Sequence, residues 1–363
     1  MSATETINFT RGVPANESFP SAGMAACAQR VLENQAVSVL QYGPAAGLGA
    51  LREWLAQWQQ VPVERVLTGN GSLELVEFLC IALLQRGDFV LTEAPTYDRA
   101  ITLFRRNGME VDGVPLQADG PDIEALEAQL RRRVPKLFYV IPDFQNPAGA
   151  TCSLAKRKRI IELAEQYDFL VLEDAPYRLL RYRGTDEPTL YSLAPHRVLH
   201  MSSFTKLIAP GVRTGFMLGD PARLAKIGKV AEDTYISPGY FAHGVTAEWC
   251  REGNLQPQIE RLKQLYAPRL DATLAALDKY IPDAVATRPN GGFFLSLTLP
   301  AGTSTTAVRT AATKHNLNLA DGLAFFPNGG GERFLRLPFC ALTPAQIDEG
   351  IRRLSLAVKE ARG

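Results

Sequence analysis

The chain has 363 residues, 46% of them hydrophobic and 21% charged, with a formal charge of +1. That length suits two domains, or one large domain with an appended lobe, and the near-neutral balance gives no global field to draw it to nucleic acid or an anionic membrane. Five cysteines (Cys27, Cys80, Cys152, Cys250 and Cys340) are scattered without a CxxC pair, which argues against a disulfide framework or zinc site and for a reducing compartment.

In chain order, the start Met1–Thr6 has no basic stretch leading into an apolar one, so no signal peptide is expected. Residues 1–35 are too few for a domain of their own and are expected to join the second lobe. From about Gly47 to Gly219 short β-rich runs alternate with amphipathic helical runs. A short strand leads into a helix over 72–86. Phe89–Leu91, Leu137–Ile141, Phe169–Leu172 and Arg197–Met201 read as buried strands, with helical patterns over 96–107, 122–132 and 153–167. This alternation predicts an α/β fold with a mostly parallel sheet between helices, whose ligands bind at the carboxyl ends of the strands. Beyond about Gly253 a long helix to Lys279, a strand over Gly291–Leu297, a helix over 304–315, a strand over 333–337 and a last helix from Pro344 read as a smaller α+β lobe. The expected division is 36–252 for the large domain, and 1–35 with 253–363 for the small one.

The remaining features are bland. Arg131–Arg133 and Lys156–Arg159 are short basic runs on helical segments and read as solvated faces. His196 and His200 flank the start of a strand, where four-residue spacing does not make a helical ligand pair. No apolar run approaches the length of a membrane helix. A cytoplasmic protein without a metal, nucleic acid or membrane partner is expected.

The most informative stretch is Ser203–Arg213, in which Lys206 stands among hydroxyl and small residues, seven positions before Arg213. A lysine on such a turn suits a Schiff base with an aldehyde cofactor, and Ser203 and Arg213 suit a phosphate, the arginine through its planar fork. Asp174 ends the apolar strand Val171–Glu173; a buried carboxylate is costly unless paired, and a protonated pyridine is a partner that would justify it. Glu173, next to it, is expected to point to the other face. Thr68–Ser72 places Gly71 and Ser72 at a strand-to-helix junction, where backbone N–H groups favour an anion; read alone, it is equally a capped helix start. Tyr97 follows a strand and reads as either a core residue or an aromatic wall. Asn146 lies in Asp143–Gly149, an Asn-Pro turn. Arg336 lies inside the apolar strand Phe334–Phe339, where it needs an anion, whether a ligand or a structural carboxylate.

Taken in order, these residues resemble the pyridoxal 5'-phosphate-dependent aminotransferases of fold type I, the class I and II family, and within it the aminoadipate and kynurenine aminotransferase-like subgroup. The resemblance spans about Phe9 to the last helix. It implies a large domain with a mostly parallel sheet plus a smaller α+β domain, and transfer of an amino group from an L-amino acid to a 2-oxo acid, 2-oxoglutarate being the expected acceptor. It implies that Lys206 forms the resting Schiff base and moves the α-proton, with a pyridoxamine phosphate intermediate. Asp174 would pair with the pyridine nitrogen, Asn146 and Tyr177 would donate to the phenolate oxygen, and Tyr97 would stack on the ring. Gly71, Ser72, Ser203 and Arg213 would hold the phosphate; Arg336, with Asn146 and the backbone at Gly12, would hold the substrate carboxylate. Tyr42, in Gln41–Gly47, is similar to a tyrosine that reaches the phosphate of the neighbouring subunit, which implies a homodimer with shared sites; a turn with an incidental tyrosine is the alternative. The family often carries glutamines where this chain has Leu73–Glu74.

The same lysine and aspartate also serve a β-eliminating carbon–sulfur lyase. A regulatory, non-catalytic module would carry a winged-helix domain first, and only about forty residues precede Tyr42. For the substrate side chain two readings stand: Arg11 pairing with a distal carboxylate, or Phe19, Tyr240 and Phe241 lining an apolar pocket.

Overall fold

The computed structural model describes residues 5–362, so the reading of Met1–Thr4 lies outside them. An eight-stranded sheet forms the centre. The strands Phe89–Ala94, Glu110–Gln117, Leu137–Val140, Leu170–Asp174 and Val198–Ser203 run parallel as neighbours, while Gly215–Leu218 lies antiparallel between Val198–Ser203 and Val66–Gly69. The mostly parallel α/β sheet is therefore as expected.

Period-two alternation sorts the strand residues onto two buried faces. Phe138, Val140 and Val171 enter one apolar cluster, whereas Leu137, Tyr139, Ile141, Leu172 and Met201 enter the other. Continuous apolar runs thus serve a sheet covered on both sides by helices, among them Ser72–Leu83, Ile123–Arg132, Leu154–Tyr167 and Pro221–Tyr235. The strands Glu110–Gln117 and Gly215–Leu218 were not among the expected ones. Glu110–Gln117 has mixed polarity and lies near the sheet edge, with much of its length half-buried or exposed, so it lacks the apolar run that marks an inner strand.

A third apolar cluster gathers Leu295, Leu297, Leu335, Leu337 and the last helix, Pro344–Arg362, around a three-stranded sheet that includes Phe294–Thr298 and Phe334–Pro338. Strand Ile7–Phe9 joins this lobe by pairing with Leu317–Leu319. Helix Ser21–Leu40 does not: its Cys27, Val31 and Val39 pack into the large cluster, with Val31 and Val39 against Gly244. The assignment of all of 1–35 to the second lobe is revised accordingly, because the inward face of that helix matches the large core. Helix Leu255–Tyr280 also crosses between clusters, its residues through Tyr266 lying in the large one and those from Leu270 in the small one, with Pro268 between them.

Candidate active site

The expected site residues meet at the carboxyl ends of the parallel strands. One cavity of about 510 Å³ is lined by Ser72, Tyr97, Asn146, Asp174, Tyr177, Ser203, Lys206, Arg213, Arg336 and Gly12. Asp174 and Ser203 end their strands, while Tyr97 and Asn146 follow theirs. Parallel strands leave their loops on one edge, which is why residues so far apart in the chain converge there.

Lys206 follows strand Val198–Ser203 in a turn in which the Ser203 hydroxyl accepts the Thr205 N–H at 3.0 Å. Its Nζ donates to the Gly12 carbonyl at 3.0 Å and lies 5.9 Å and 5.6 Å from the ring centroids of Tyr177 and Phe293. Desolvation among these rings lowers its ammonium to about 8; the Cys340 thiol opposes that shift and the Arg336 charge adds to it. An amine near neutrality is a nucleophile and a base.

Asp174 is buried, and its Oδ2 accepts a 2.6 Å hydrogen bond from the Tyr139 hydroxyl. Its Oδ1 is buried without a partner. Burial raises this carboxyl to about 6, with Tyr139 and His200 acting against the rise. Glu173 faces away as expected: it accepts from the backbone N–H groups of Leu190 and Tyr191 and lies 2.9 Å from His200 Nδ1.

Asn146 sits on a pinned turn. Asp143 accepts from Arg157 at 2.7 Å and Arg178 at 3.1 Å, and Gln145 donates to Glu93 at 3.1 Å and the Pro95 carbonyl at 2.8 Å. Burial pushes the Asp143 carboxyl up, but Arg157 and Arg178 outweigh it and hold it below the usual range. Arg336 reaches this turn from the second lobe, donating to Asn146 Oδ1 at 2.9 Å and to the Thr10 carbonyl at 2.8 Å. Its guanidinium carbon lies 4.8 Å and 4.6 Å from the ring centroids of Phe294 and Phe325. Among the described residues it has no carboxylate partner, its buried Nε is unpaired, and desolvation holds its pKa below the ordinary value.

At the other end of the cavity Gly71 caps helix Ser72–Leu83 with φ of 101°, where a Cβ would stand 2.4 Å from Arg213 Nη2. Only glycine accepts that conformation and that approach. Arg213 is turned onto this junction by donating to the Asn70 carbonyl at 2.9 Å. Glu74, at one of the positions that departs from the family pattern, accepts from Asn70 N at 2.9 Å and so supports the same junction.

Some expected residues lie elsewhere. Tyr42 is 72% exposed and does not line this chain's own cavity. Tyr240 donates to the Pro44 carbonyl, and neither it nor Phe19 or Phe241 lines the cavity, whereas Arg11 does. The apolar-pocket reading for those three is thereby corrected within one chain: the helix that carries Tyr240 and Phe241 begins beside the site, with the Gly239 N–H donating to Asn70 Oδ1 at 2.8 Å, but neither side chain lines the cavity. Sequence reading missed Tyr139, Phe294, Phe325 and Asp321, which also line the cavity. For Tyr139 a signal existed, a hydroxyl in a buried strand two residues before its end; for the others the lobes must first be brought together.

A family model described as aminotransferase class I and II matches residues 4–354. The chain belongs to that family. This aminotransferase is 36% identical to the 2-aminoadipate transaminase of Thermus thermophilus, over 97% of this chain and 90% of the relative. It is similar to the crystal structure of alpha-aminoadipate aminotransferase from Thermus thermophilus complexed with N-(5'-phosphopyridoxyl)-L-leucine, with a TM-score of 0.93, 34% identity and coverage of 99% of this chain and 95% of that one. It is also similar to Pyrococcus horikoshii kynurenine aminotransferase, with a TM-score of 0.95, 32% identity and coverage of 98% and 91%. The enzyme is a fold type I transaminase that uses pyridoxal phosphate.

The residues present fit that group. A phosphate suits the glycine-permitted helix start at Gly71 and Ser72 beside Arg213, a ring nitrogen suits the unpartnered Asp174 Oδ1, and an aldehyde suits the lowered amine of Lys206. No helix among the described residues is long and apolar enough to cross a membrane.

Proposed function

We propose that this aminotransferase moves the amino group of an L-amino acid to 2-oxoglutarate, with Lys206, Asp174 and Tyr177 as its catalytic residues. The observation that carries this reading is the convergence of Lys206, Asp174, Asn146, Tyr177 and Arg336 on one cavity. Bound pyridoxal phosphate supplies an aldehyde for the amino group and an electron sink for the α-carbon.

Gly71, Ser72, Ser203 and Arg213 hold the phosphate, and Tyr97 covers the ring face and excludes water. Asp174 would keep a proton on the ring nitrogen, while Asn146 Nδ2 and the Tyr177 hydroxyl would donate to the phenolate oxygen. Lys206 Nζ would meet the cofactor's aldehyde and, as a free amine, would take the proton from the substrate α-carbon. Arg336 grips the α-carboxylate in a bidentate pair, with the backbone at Gly12 alongside. That grip would fix which α-carbon bond is presented for cleavage and so would favour proton loss over decarboxylation.

A dicarboxylic partner is supported by a second cation, Arg11, which lines the same cavity and has no ion-pair partner among the described residues. Relatives named for 2-aminoadipate support the same substrate class.

The active form is a homodimer in which Tyr42 completes the neighbouring site. Val37, Leu40, Tyr42, Ile236 and Phe241 are exposed at 40% or more, and the Tyr240–Pro44 hydrogen bond ties two of the segments that carry them. Exposed apolar side chains on segments tied together in this way suit an interface. Two functional domains are read, a large one around the parallel sheet that takes in helix Ser21–Leu40, and a small one that takes in Ile7–Phe9 and the chain from about Leu270, and five free buried cysteines suit the cytoplasm.

The test is the absorption spectrum of the loaded enzyme as L-amino acids are added singly. Loss of the visible band, restored by 2-oxoglutarate, is expected. A band that no L-amino acid changes would overturn the reading, and pyruvate released without an acceptor would point to a lyase.

A further inference from the structure

We propose that Tyr139 is a positioning residue for Asp174, holding one carboxylate oxygen so that the other is presented to the cofactor's ring nitrogen. The proposal rests on the reading that Asp174 faces that nitrogen. Tyr139 lies on strand Leu137–Val140 and Asp174 on the adjacent parallel strand Leu170–Asp174, where Tyr139 pairs with Leu172. Asp174 is two residues beyond Leu172, so it shares a face with Tyr139 and stands diagonal to it, within reach of a long side chain. The result is a 2.6 Å hydrogen bond from the phenol to Oδ2, leaving Oδ1 buried and unpartnered toward the cavity that both residues line.

Tyr139 itself cannot easily move. It is 1% exposed, and Phe104 meets its ring edge-on at 5.9 Å and 70°. The groups facing Asp174 from neighbouring elements are Glu93 at the end of strand Phe89–Ala94, Tyr97 at the start of the next helix, Tyr177 just beyond Asp174, and His200 on strand Val198–Ser203. None of these is hydrogen-bonded to it. His200 is engaged with Glu173 instead. Among the described residues Tyr139 is the hydrogen-bond donor Asp174 has.

A buried carboxylate with a single donor depends on that donor for its charge. Burial already favours the protonated carboxyl here, and the Tyr139 bond opposes this. Without it, the proton shared with the ring nitrogen moves toward the carboxyl, and the ring withdraws electrons less strongly. The hydrogen bond therefore acts on the reacting atoms through Asp174.

The experiment loads Tyr139→Phe, Asp174→Ala and the wild type with cofactor carrying ¹⁵N in the ring, and records the ¹⁵N shift, the cofactor dissociation constant, and kcat and KM. For Y139F we expect the shift to move from the protonated toward the neutral ring and cofactor binding to weaken. We also expect kcat to fall roughly ten- to a hundredfold, the size of one lost hydrogen bond to a charged group, with KM nearly unchanged. The double variant should lose no more than D174A alone. A wild-type shift and affinity in Y139F beside an altered D174A would overturn the role of Tyr139, whereas an unaltered D174A would overturn the reading of Asp174 itself. If Y139F does not fold, 3-fluorotyrosine at 139, a stronger donor of nearly the same shape, takes its place; tighter cofactor binding is expected, and unchanged binding overturns the proposal.

Discussion

Arg336 Nη1 donates to Asn146 Oδ1 at 2.9 Å, joining a strand of the small sheet to a turn 190 positions earlier in the chain, beyond a strand of the large sheet. Because the amide oxygen of Asn146 is committed to this bond, its Nδ2 is the group left to donate into the cavity. The same bond orients the guanidinium, which lies against two phenyl rings, so that one partly desolvated cation is held ready at the cavity wall.

Replacing Arg336 by Lys keeps the charge but removes the planar fork. KM for the amino acid should rise roughly ten- to a hundredfold, the effect of one charge-assisted hydrogen bond. Steady-state kinetics with the amino acid and with the amine lacking its carboxylate would check this. Equal loss on both substrates would mean that Arg336 does not bind the carboxylate.

Lys206 is predicted to set the pH dependence of cofactor loading. Its pKa of about 8 in the folded protein lies below the ordinary 10.5, so the reactive neutral amine accumulates as pH rises through about 8. Stopped-flow absorbance of the apoenzyme mixed with pyridoxal phosphate should show a rate that climbs with that midpoint and then levels. A rate still rising toward pH 10 would indicate an ordinary, solvated lysine. Lys206→Ala should lower turnover at least about a thousandfold, within the range of a lost acid–base group.

Glu93 makes a prediction about stability. Burial raises its carboxyl to about 8 from the ordinary 4.5, against the bonds from Ile141 N–H and Gln145. Between those values the folded protein holds a proton that the unfolded chain has released. Folded-state proton binding exceeds that of the unfolded state, so stability falls as pH rises, by up to roughly 1.4 kcal/mol per unit. Asp174 adds the same sign only up to about 6. Urea unfolding of the apoenzyme between pH 6 and 8 should show this slope, and Glu93→Gln should flatten it; an identical slope in the variant would refute the assignment.

Arg11 is exposed at the cavity mouth. Arg11→Ala should reduce kcat/KM for dicarboxylic substrates roughly threefold to fivefold while leaving neutral amino acids nearly unchanged, as expected for one solvated ion pair. Unchanged discrimination between the two classes would remove Arg11 from substrate recognition.

Much of this was legible in the chain because it depends on local order. The short apolar runs at Leu137–Ile141 and Phe169–Leu172, set between helical patterns, read as buried strands, and Asp174 at the end of one of them is a charge that needs a partner. Lys206 and Arg213 lie seven positions apart in one short segment, and Gly71 precedes its helix directly, so their spacing alone carries chemistry. Period-two alternation also separated Glu173 from Asp174 without any coordinates.

What the tertiary structure decided are the relations between distant segments. Tyr139 could be known as a strand residue, but its bond to Asp174 depends on which strands are neighbours and in what register. Helix Ser21–Leu40 went to the large core because its buried face fits there, a matter of surface complementarity that its position near the chain start does not encode. Arg11 and Arg336 reach one cavity only when the lobes pack together. Sequence determines periodicity, turns and the types of group available, since these act over a few residues; the distances that let those groups share a proton or a carboxylate arise from packing across the whole chain.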